Sequence, residues 1–312
     1  MRVLRWIGLT VLAVLVLGGA WLGYIVVLNP SLHMTVQKQA FWLLVQDPEL
    51  LTQLGAVEGT VFDFHSGKLS DVSWDRRALD DKTKTDNLAA IEAYDPAALS
   101  GQEALTRRVM IWYYKNELAY RSVPWLAPGN TIYPVNQMFG QQNGFPRFMQ
   151  FGHVVVNAKT AGTYVDRLNA VGVKFDQVAD DLRRQAAMGD VPPLFVFDKV
   201  IAGMEGFVAQ PATANPLYTT FVEKLGRLDL GQAEREAFAA AAERAIDDTV
   251  YPAYARLLAT VKELRPKATA DAGVWKLPGG DAYYAIALRD QTTTDLTPQE
   301  VHDIGLSEVA RI

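Results

Sequence analysis

The sequence contains no cysteine. Disulfides, thiol nucleophiles and Cys-based zinc sites are therefore excluded, and so is a lipid carried on an N-terminal cysteine. Large domains outside the cytosol often manage without bridges, so this absence leaves the redox compartment open. Histidine is scarce: His33, His65, His153 and His302 stand far apart, and none has another His or a Glu at helical metal-ligand spacing. There is no Gly-x-Ser-x-Gly elbow, no phosphate-binding Gly-Lys-Ser/Thr loop and no Gly-x-Gly-x-x-Gly fingerprint. Positive charge is not in excess either. The formal net charge is −5, more negative still once Arg2 and Arg5 are set aside, so nothing electrostatic favours nucleic acid as a partner. Strand signals are few and short, and no fixed-period repeat appears.

What the sequence does have begins at its N-terminus. Trp6 to Leu28 carries no charge, with Thr10 and Tyr24 as its clearly polar side chains. As a helix it would reach roughly 34 Å, enough for a hydrocarbon core of about 30 Å. Arg2 and Arg5 precede it and place the N-terminus in the cytoplasm, with the body on the outer or periplasmic side of the inner membrane. A cleaved signal peptide ending at Gly18-Gly19-Ala20 is the competing reading. The apolar run continues for eight residues past Ala20, which favours an uncleaved anchor over 1–28 followed by a helical domain over 29–312.

The body reads as mainly α, a large multi-helix fold. "SLHMTVQKQAFWLLVQDPELLTQLG" predicts a helix with a stop or kink near Pro48, and "VFDFHSGKLSDVS" is turn-rich with room for a short strand. Two amphipathic stretches flank a connection from Pro96 to Gly101. The segment from Pro124 to Phe151 is irregular; helical pattern returns from Thr160 to about Gly189, then through Phe207, then in "NPLYTTFVEKLGRL". The longest helical signal, "GQAEREAFAAAAERAIDDTVYPAYARLLATVKELRP", contains Pro252, which should bend or split it.

Two stretches invite a binding role. "YPVNQMFGQQNGFP" sets Asn136, Gln137, Gln141, Gln142 and Asn143 among aromatics. Amides in such company suit a pocket for a polar ligand such as a peptide backbone; equally, they can tie down the loop's own backbone. In "WKLPGGDAYYAIALRDQTTTDLTP", Asp281 can cap a helix, and Tyr283 and Tyr284 can orient a substrate carbonyl, or else divide between core and surface. Asp63 and His65 read most simply as a turn residue beside a solvated imidazole. The doublets Asp80-Asp81, Asp180-Asp181 and Asp247-Asp248 read as solvated helix faces. No catalytic or metal-binding residue is assigned.

Near the C-terminus, Thr297-Pro298-Gln299-Glu300 spells a capping box with Pro at the first helical position. Val301, Ile304, Val309 and Ile312 then share one face, so this helix wants a partner to cover it. No glycine cap or polar tail follows, which suggests the front part of something longer.

The blocks "YPVNQMFGQQNGFPRFMQF", "TAGTYVDRL", "VPPLFVFDKVI", "VYPAYARLLATVKEL", "GVWKLPGGDAYYAIALR" and "TTTDLTPQEVHDIGLSEVARI" fall in the order found in the bacterial family called domain of unknown function 885. The chain resembles that family from about Leu54 to Ile312. The resemblance implies a large helical, zincin-like metallopeptidase fold around a deep cleft, commonly exported or membrane-anchored, with peptide hydrolysis by a zinc-bound water. In the family the His- and Glu-rich metal signature, with a Pro-Gly-His-His core, lies downstream of the last block. The chain also departs from the family by having Asp290-Gln291 where histidine often precedes the Thr-Thr-Thr-Asp block. What the resemblance carries over is the N-terminal wall of a cleft, with no cofactor in this chain and zinc expected only in a complete member. Asn136, Gln137, Gln142, Asn143, Tyr283 and Tyr284 are then the candidate contacts to a peptide substrate, and a C-terminal half is the expected partner, fused or in trans. The alternative is a non-catalytic, membrane-anchored helical binding or scaffold protein.

Overall fold

The computed structural model describes residues 31–55 and 57–312. The expected anchor over residues 6–28 lies outside the described residues, and among those described no helix is long and apolar enough to cross a membrane. The described chain is helical, with a lone antiparallel bridge between Ala127 and Thr131 and no strand ladder. It divides into two units, one of residues 31–43 and 83–115, the other of residues 44–82 and 116–312.

The smaller unit draws on α1 (Leu32–Val45), α3 (Trp74–Glu92) and α4 (Gly101–Ala119). Its core is Leu32, Ile91 and Tyr114, surrounded by Val36, Leu88, Met110 and Ile111. A buried phenol needs a hydrogen-bond partner, and Tyr114 Oη donates to Gln39 Oε1 at 3.0 Å while Gln39 Nε2 donates to the Asn87 carbonyl at 3.1 Å. Between α1 and the next helix, α2 (Pro48–Leu54), the chain stops where expected. Asp47 accepts hydrogen bonds from Glu49 N and Leu50 N, and Pro48 occupies the first turn, where its missing N–H costs nothing.

The larger unit is organised by α6 (Ala158–Ala187), thirty residues long. Asn157 starts it with a full capping box to Thr160. Tyr164, Leu168, Val171, Phe175, Val178 and Leu182 recur at helical spacing, all buried, and form the stripe on which the unit is built. Against it pack α9 (Gln232–Ala245) and α10 (Tyr251–Leu264), while α7 (Leu194–Val208) packs on α10 and α8 (Pro216–Gly226) on α9, all contributing to one core. Each fully buried side chain of this kind contributes about 1.5–3 kcal/mol. Ala242 and Ala245 are the buried residues of α9, so the alanine-rich tract offers small side chains where it meets the core. The preceding short helix α5 (Gln141–Arg147) and the last two, α11 (Gly280–Thr292) and α12 (Pro298–Arg311), complete the element order.

Three expectations are refined. Pro252 does split the long helical signal, but through a π-helical turn, Ile246–Val250, in which the backbone keeps helical angles. Proline lacks the N–H that would bond back four residues, and a shift to the wider ladder absorbs the loss. The segment Val61–Ser73 is turns, without the short strand allowed for it. Asp281 does not cap α11: the helix begins at Gly280, behind a left-handed Gly279 (φ 71°), with no side-chain cap.

At the far end of α6, Gly189 (φ +86°) reverses the chain and Asp190 N bonds back to the Gln185 carbonyl at 2.9 Å. This closure buries Asp190 with both carboxylate oxygens unpartnered. Burial pushes its pKa from 3.8 up to about 7, against the pull of Lys276. Between those values the unfolded chain ionises while the folded chain holds its proton, so this residue's contribution falls as pH rises. Asp190→Asn is therefore expected to raise stability at pH 8 by on the order of 1–3 kcal/mol and to leave it nearly unchanged at pH 4. Denaturant unfolding at the two pH values checks this; an equal effect at both would contradict the assignment.

Candidate functional site

Within the stripe of α6, one position breaks the apolar pattern. Arg167 is fully buried, and all three of its guanidinium nitrogens are hydrogen-bonded. Nε donates to the Lys68 carbonyl at 2.8 Å and Nη1 to His153 Nδ1 at 2.8 Å. Nη2 reaches the Pro48 carbonyl (3.1 Å), Thr52 Oγ1 (2.7 Å) and the His65 carbonyl (3.3 Å). The Phe148 ring lies 4.8 Å from the guanidinium carbon. Burial presses the Arg167 pKa down to about 10, opposed by the charges of Glu49, Asp63, Glu58 and Asp47, so the group stays cationic at neutral pH.

That contact fixes His153. Since Nδ1 accepts from Arg167, the ring proton sits on Nε2, which donates to the Thr160 carbonyl at 3.1 Å. Burial and then the Arg167 charge drive its pKa down to about 3. With both nitrogens engaged and the ring neutral, His153 orients its surroundings and has no free lone pair for proton transfer. Just upstream, a second π-helical turn, Phe148–Gly152, follows α5 and its Pro146. Gly152 is required there, because a Cβ would come 2.7 Å from the Phe148 ring. Lys224 of α8 donates to the Met149 (3.0 Å) and His153 (2.6 Å) carbonyls at the end of that turn, the groups a helix end leaves unpaired. Burial, then Arg227, lowers the Lys224 pKa to about 8, while Glu223 acts the other way.

The π-helical turn also sets the surface relief. Phe151 projects from it, 82% exposed, between two clefts. One, of about 460 Å³, is lined by Gln53, Arg147 and Phe148 among others. The other, of about 560 Å³, is lined by Gln150, Thr220 and the Glu223–Arg227 ion pair, with His153 and Lys224 in its wall. An apolar ridge with amide, hydroxyl and paired charges on either side suits recognition of an extended polar ligand. None of these residues was assigned a role from sequence: Arg147, Phe148, Gln150 and Phe151 lie in the block "YPVNQMFGQQNGFPRFMQF" and Arg167 in "TAGTYVDRL", and His153 was one of four dispersed histidines. The readable signals were Pro146 ahead of the turn and an arginine on an apolar helix face.

Of the amides expected to contact substrate, Asn136, Gln142 and Asn143 are engaged with their own loop. Asn136 Oδ1 accepts from Met138 N (2.9 Å) and Phe139 N (2.6 Å). Gln142 Nε2 donates to the Asn136 carbonyl at 2.6 Å, and Asn143 Nδ2 to the Gln137 carbonyl at 3.2 Å. The buried Oε1 atoms of Gln137 and Gln142 have no partner. Tyr283 packs against Trp125 (ring centroids 5.5 Å) and Tyr120 (6.1 Å), whereas Tyr284 is exposed. Among the described residues no hydrogen bond joins either tyrosine to the amide loop. Asp290 accepts from Asn116 Nδ2 at 2.6 Å.

The Asp63–His65 pair needs correction. The segment is a turn, but the imidazole is buried rather than solvated. His65 Nε2 lies 2.9 Å from Glu58 Oε1, and Nδ1 lies 3.6 Å from Asp63 Oδ1. Burial raises the Asp63 pKa, but hydrogen bonds from Gly59 and Ser66 and the His65 charge outweigh it and hold it at about 2. Among the described residues no group of three or more His, Asp or Glu side chains is placed to hold a metal ion.

A family model described as "Bacterial protein of unknown function (DUF885)" matches residues 48–312. No curated protein is matched. Among solved structures the chain resembles "the putative lipoprotein from Colwellia psychrerythraea", at 21% identity and a TM-score of 0.76, covering 89% of this chain and 49% of that one. The chain thus shares that protein's helical fold and spans about half its length.

Truncating Arg167 takes a donor from five acceptors, of which only the Pro48 and His65 carbonyls keep another among the described residues, from Thr52 Oγ1 and Lys68 N. Arg167→Met is expected to cost on the order of 3–5 kcal/mol, and Arg167→Lys, whose ammonium cannot serve this fork, is expected to cost nearly as much. Chemical denaturation checks both; an unchanged midpoint for the lysine variant would refute this hydrogen-bonding role.

Proposed function

The chain belongs to the bacterial family of unknown function DUF885, and from that premise we propose that it forms the N-terminal, cleft-bearing wall of a membrane-anchored zinc metallopeptidase. The residues present do not fit zinc. The four histidines are dispersed, His153 has both ring nitrogens engaged by Arg167 and Thr160, and His65 is bracketed by Glu58 and Asp63. No catalytic step is therefore routed through this chain. Its part is to bind and position peptide, by the clefts beside Phe151 and by the Asn136–Asn143 loop, while metal donors come from a complementary body.

The observation that carries this reading is α12. It has a complete capping box at Thr297 and Glu300, yet none of its side chains is buried, and Ile304 and Val309 stand open to solvent. An apolar face of this kind calls for a cover. The likeness to a solved chain of about twice the length supports the same reading. A lipoprotein relative also supports attachment to a membrane outside the cytoplasm; with no cysteine in this sequence, attachment here falls to residues 6–28 rather than to a thiol-linked lipid.

The test is biochemical. The full chain, purified in detergent, is assayed for zinc and for hydrolysis of a fluorogenic peptide mixture, alone and with a separately expressed C-terminal half from a complete family member. The chain alone is expected to hold substoichiometric zinc and to show no hydrolysis, and the mixture to gain both. Stoichiometric zinc with turnover by the chain alone would reject the division of labour. A mixture that neither associates nor hydrolyses would favour the non-catalytic binding protein.

A further inference from the structure

The loop from Val57 to Lys68 turns its polarity inside out. Glu58 pairs with His65, and Asp63 accepts from Gly59 N (2.8 Å) and Ser66 N (3.0 Å), so both carboxylates face inward. Outward stand Val61, 91% exposed, and Phe62, 74% exposed, with Phe64 beside them and Lys68 as the one exposed charge of the loop. The tip is braced from both limbs. Thr60 Oγ1 donates to the Val57 carbonyl at 2.7 Å and accepts from Phe62 N at 3.2 Å. Lys159 Nζ donates to the Thr60 (2.6 Å) and Asp63 (3.1 Å) carbonyls, and Asn157 Nδ2 donates to the Gly59 carbonyl at 3.1 Å. Gly59 (φ +73°) allows this close approach: a Cβ there would lie 2.6 Å from Asn157 Nδ2.

A single exposed valine or phenylalanine is ordinary. Three on one pre-ordered tip, with the loop's own Glu58 and Asp63 turned inward, form a contact element whose ordering cost is already met. We propose that the Val61–Phe62 tip docks into the surface of the lipid bilayer to which the chain is anchored. This rests on the reading of residues 6–28 as a membrane anchor. The loop's carboxylates and its Gly59, Thr60 and Asp63 carbonyls are bonded within the protein, so what the tip offers is chiefly the apolar side chains of Val61, Phe62 and Phe64, as a lipid interface requires and a polar-rimmed protein pocket does not. Inward carboxylates and outward Lys68 suit anionic headgroups. A tethered body also meets the bilayer at high effective concentration, so a modest apolar contact suffices.

The absence of cysteine makes the test clean. Full-length Val61→Cys carries one thiol, which takes an environment-sensitive fluorophore; Gln232→Cys on α9 is the control. Each is reconstituted into phosphatidylcholine–phosphatidylglycerol vesicles, and flotation is scored separately. The Val61 label is expected to sit about 5–10 Å below the headgroup boundary and to be quenched by nitroxide lipids at least about threefold more than the control. Adding Phe62→Ser should return it to quenching by aqueous iodide. If the chain fails to float, the anchor reading fails and this proposal with it. If it floats with the Val61 label open to iodide, the anchor stands and the docking tip is wrong. A label shielded from both quenchers marks burial against protein and likewise overturns the proposal.

Discussion

One buried cation holds the larger unit in register. Arg167 brings together the start of α2, the loop through His65 and Lys68, and the turn at His153, using backbone carbonyls and neutral groups as acceptors. An isolated charge at that depth would cost tens of kcal/mol on a simple solvation estimate. Five hydrogen bonds shared among its three nitrogens, at roughly 1.5–3 kcal/mol per charged hydrogen bond, offset much of it. The carboxylates of Glu49, Asp63, Glu58 and Asp47 supply the opposing field from further out. The cation's geometry then propagates: it sets the His153 tautomer, which bonds Thr160, which completes the cap of α6. The longest helix and the irregular segments that decorate it are thus one electrostatic arrangement.

Helices, their order and most of their ends were legible because each has a local cause. Asp47 before Pro48, and Thr297 with Glu300, act within a few residues, and sequence displays them directly. The period-3.6 stripe of α6 is equally local. What escaped depends on distant partners. Arg167 answers to carbonyls about a hundred residues away, and carbonyls have no sequence signature. The burial of His65 depends on Glu58 folding back over it, where spacing alone suggested a solvated ring. Amides such as Gln142 and Asn143 look the same in sequence whether they face a ligand or their own loop; the hydrogen bonds to Asn136 and Gln137 carbonyls distinguish the two. The two π-helical turns were half legible, since Pro146 and Pro252 announced a disturbance without its form.

The clefts beside Phe151 follow from the first of those turns. Widening the ladder by one residue rotates the side chains that follow, which expels Phe151 and leaves the Met149 and His153 carbonyls for Lys224. Several of the polar groups nearest the clefts are thereby engaged in holding the turn. His153 is neutral and doubly bonded, Arg167 is bonded through all three nitrogens, and Lys224 holds two carbonyls. What the surface presents beside them is the Phe151 ridge, the Thr220 hydroxyl and the Glu223–Arg227 pair.

The same reasoning bears on α12. A helix of fourteen residues is marginal in water, because nucleation is costly and propagation returns little per residue. Its capping box is worth about 1 kcal/mol, and its exposed Gln299–Asp303 and Glu308–Arg311 pairs add a few tenths each. Neither sum supports persistent helix without tertiary packing, yet the face with Val301, Ile304 and Val309 buries nothing. In the larger unit α6, α7, α8 and α10 are each held by a buried stripe, and α6 alone buries thirteen residues, whereas α11 buries only Gly280. Local signals without packing leave α12 marginal as it stands, and cover for its apolar face is what the proposed complementary body would supply.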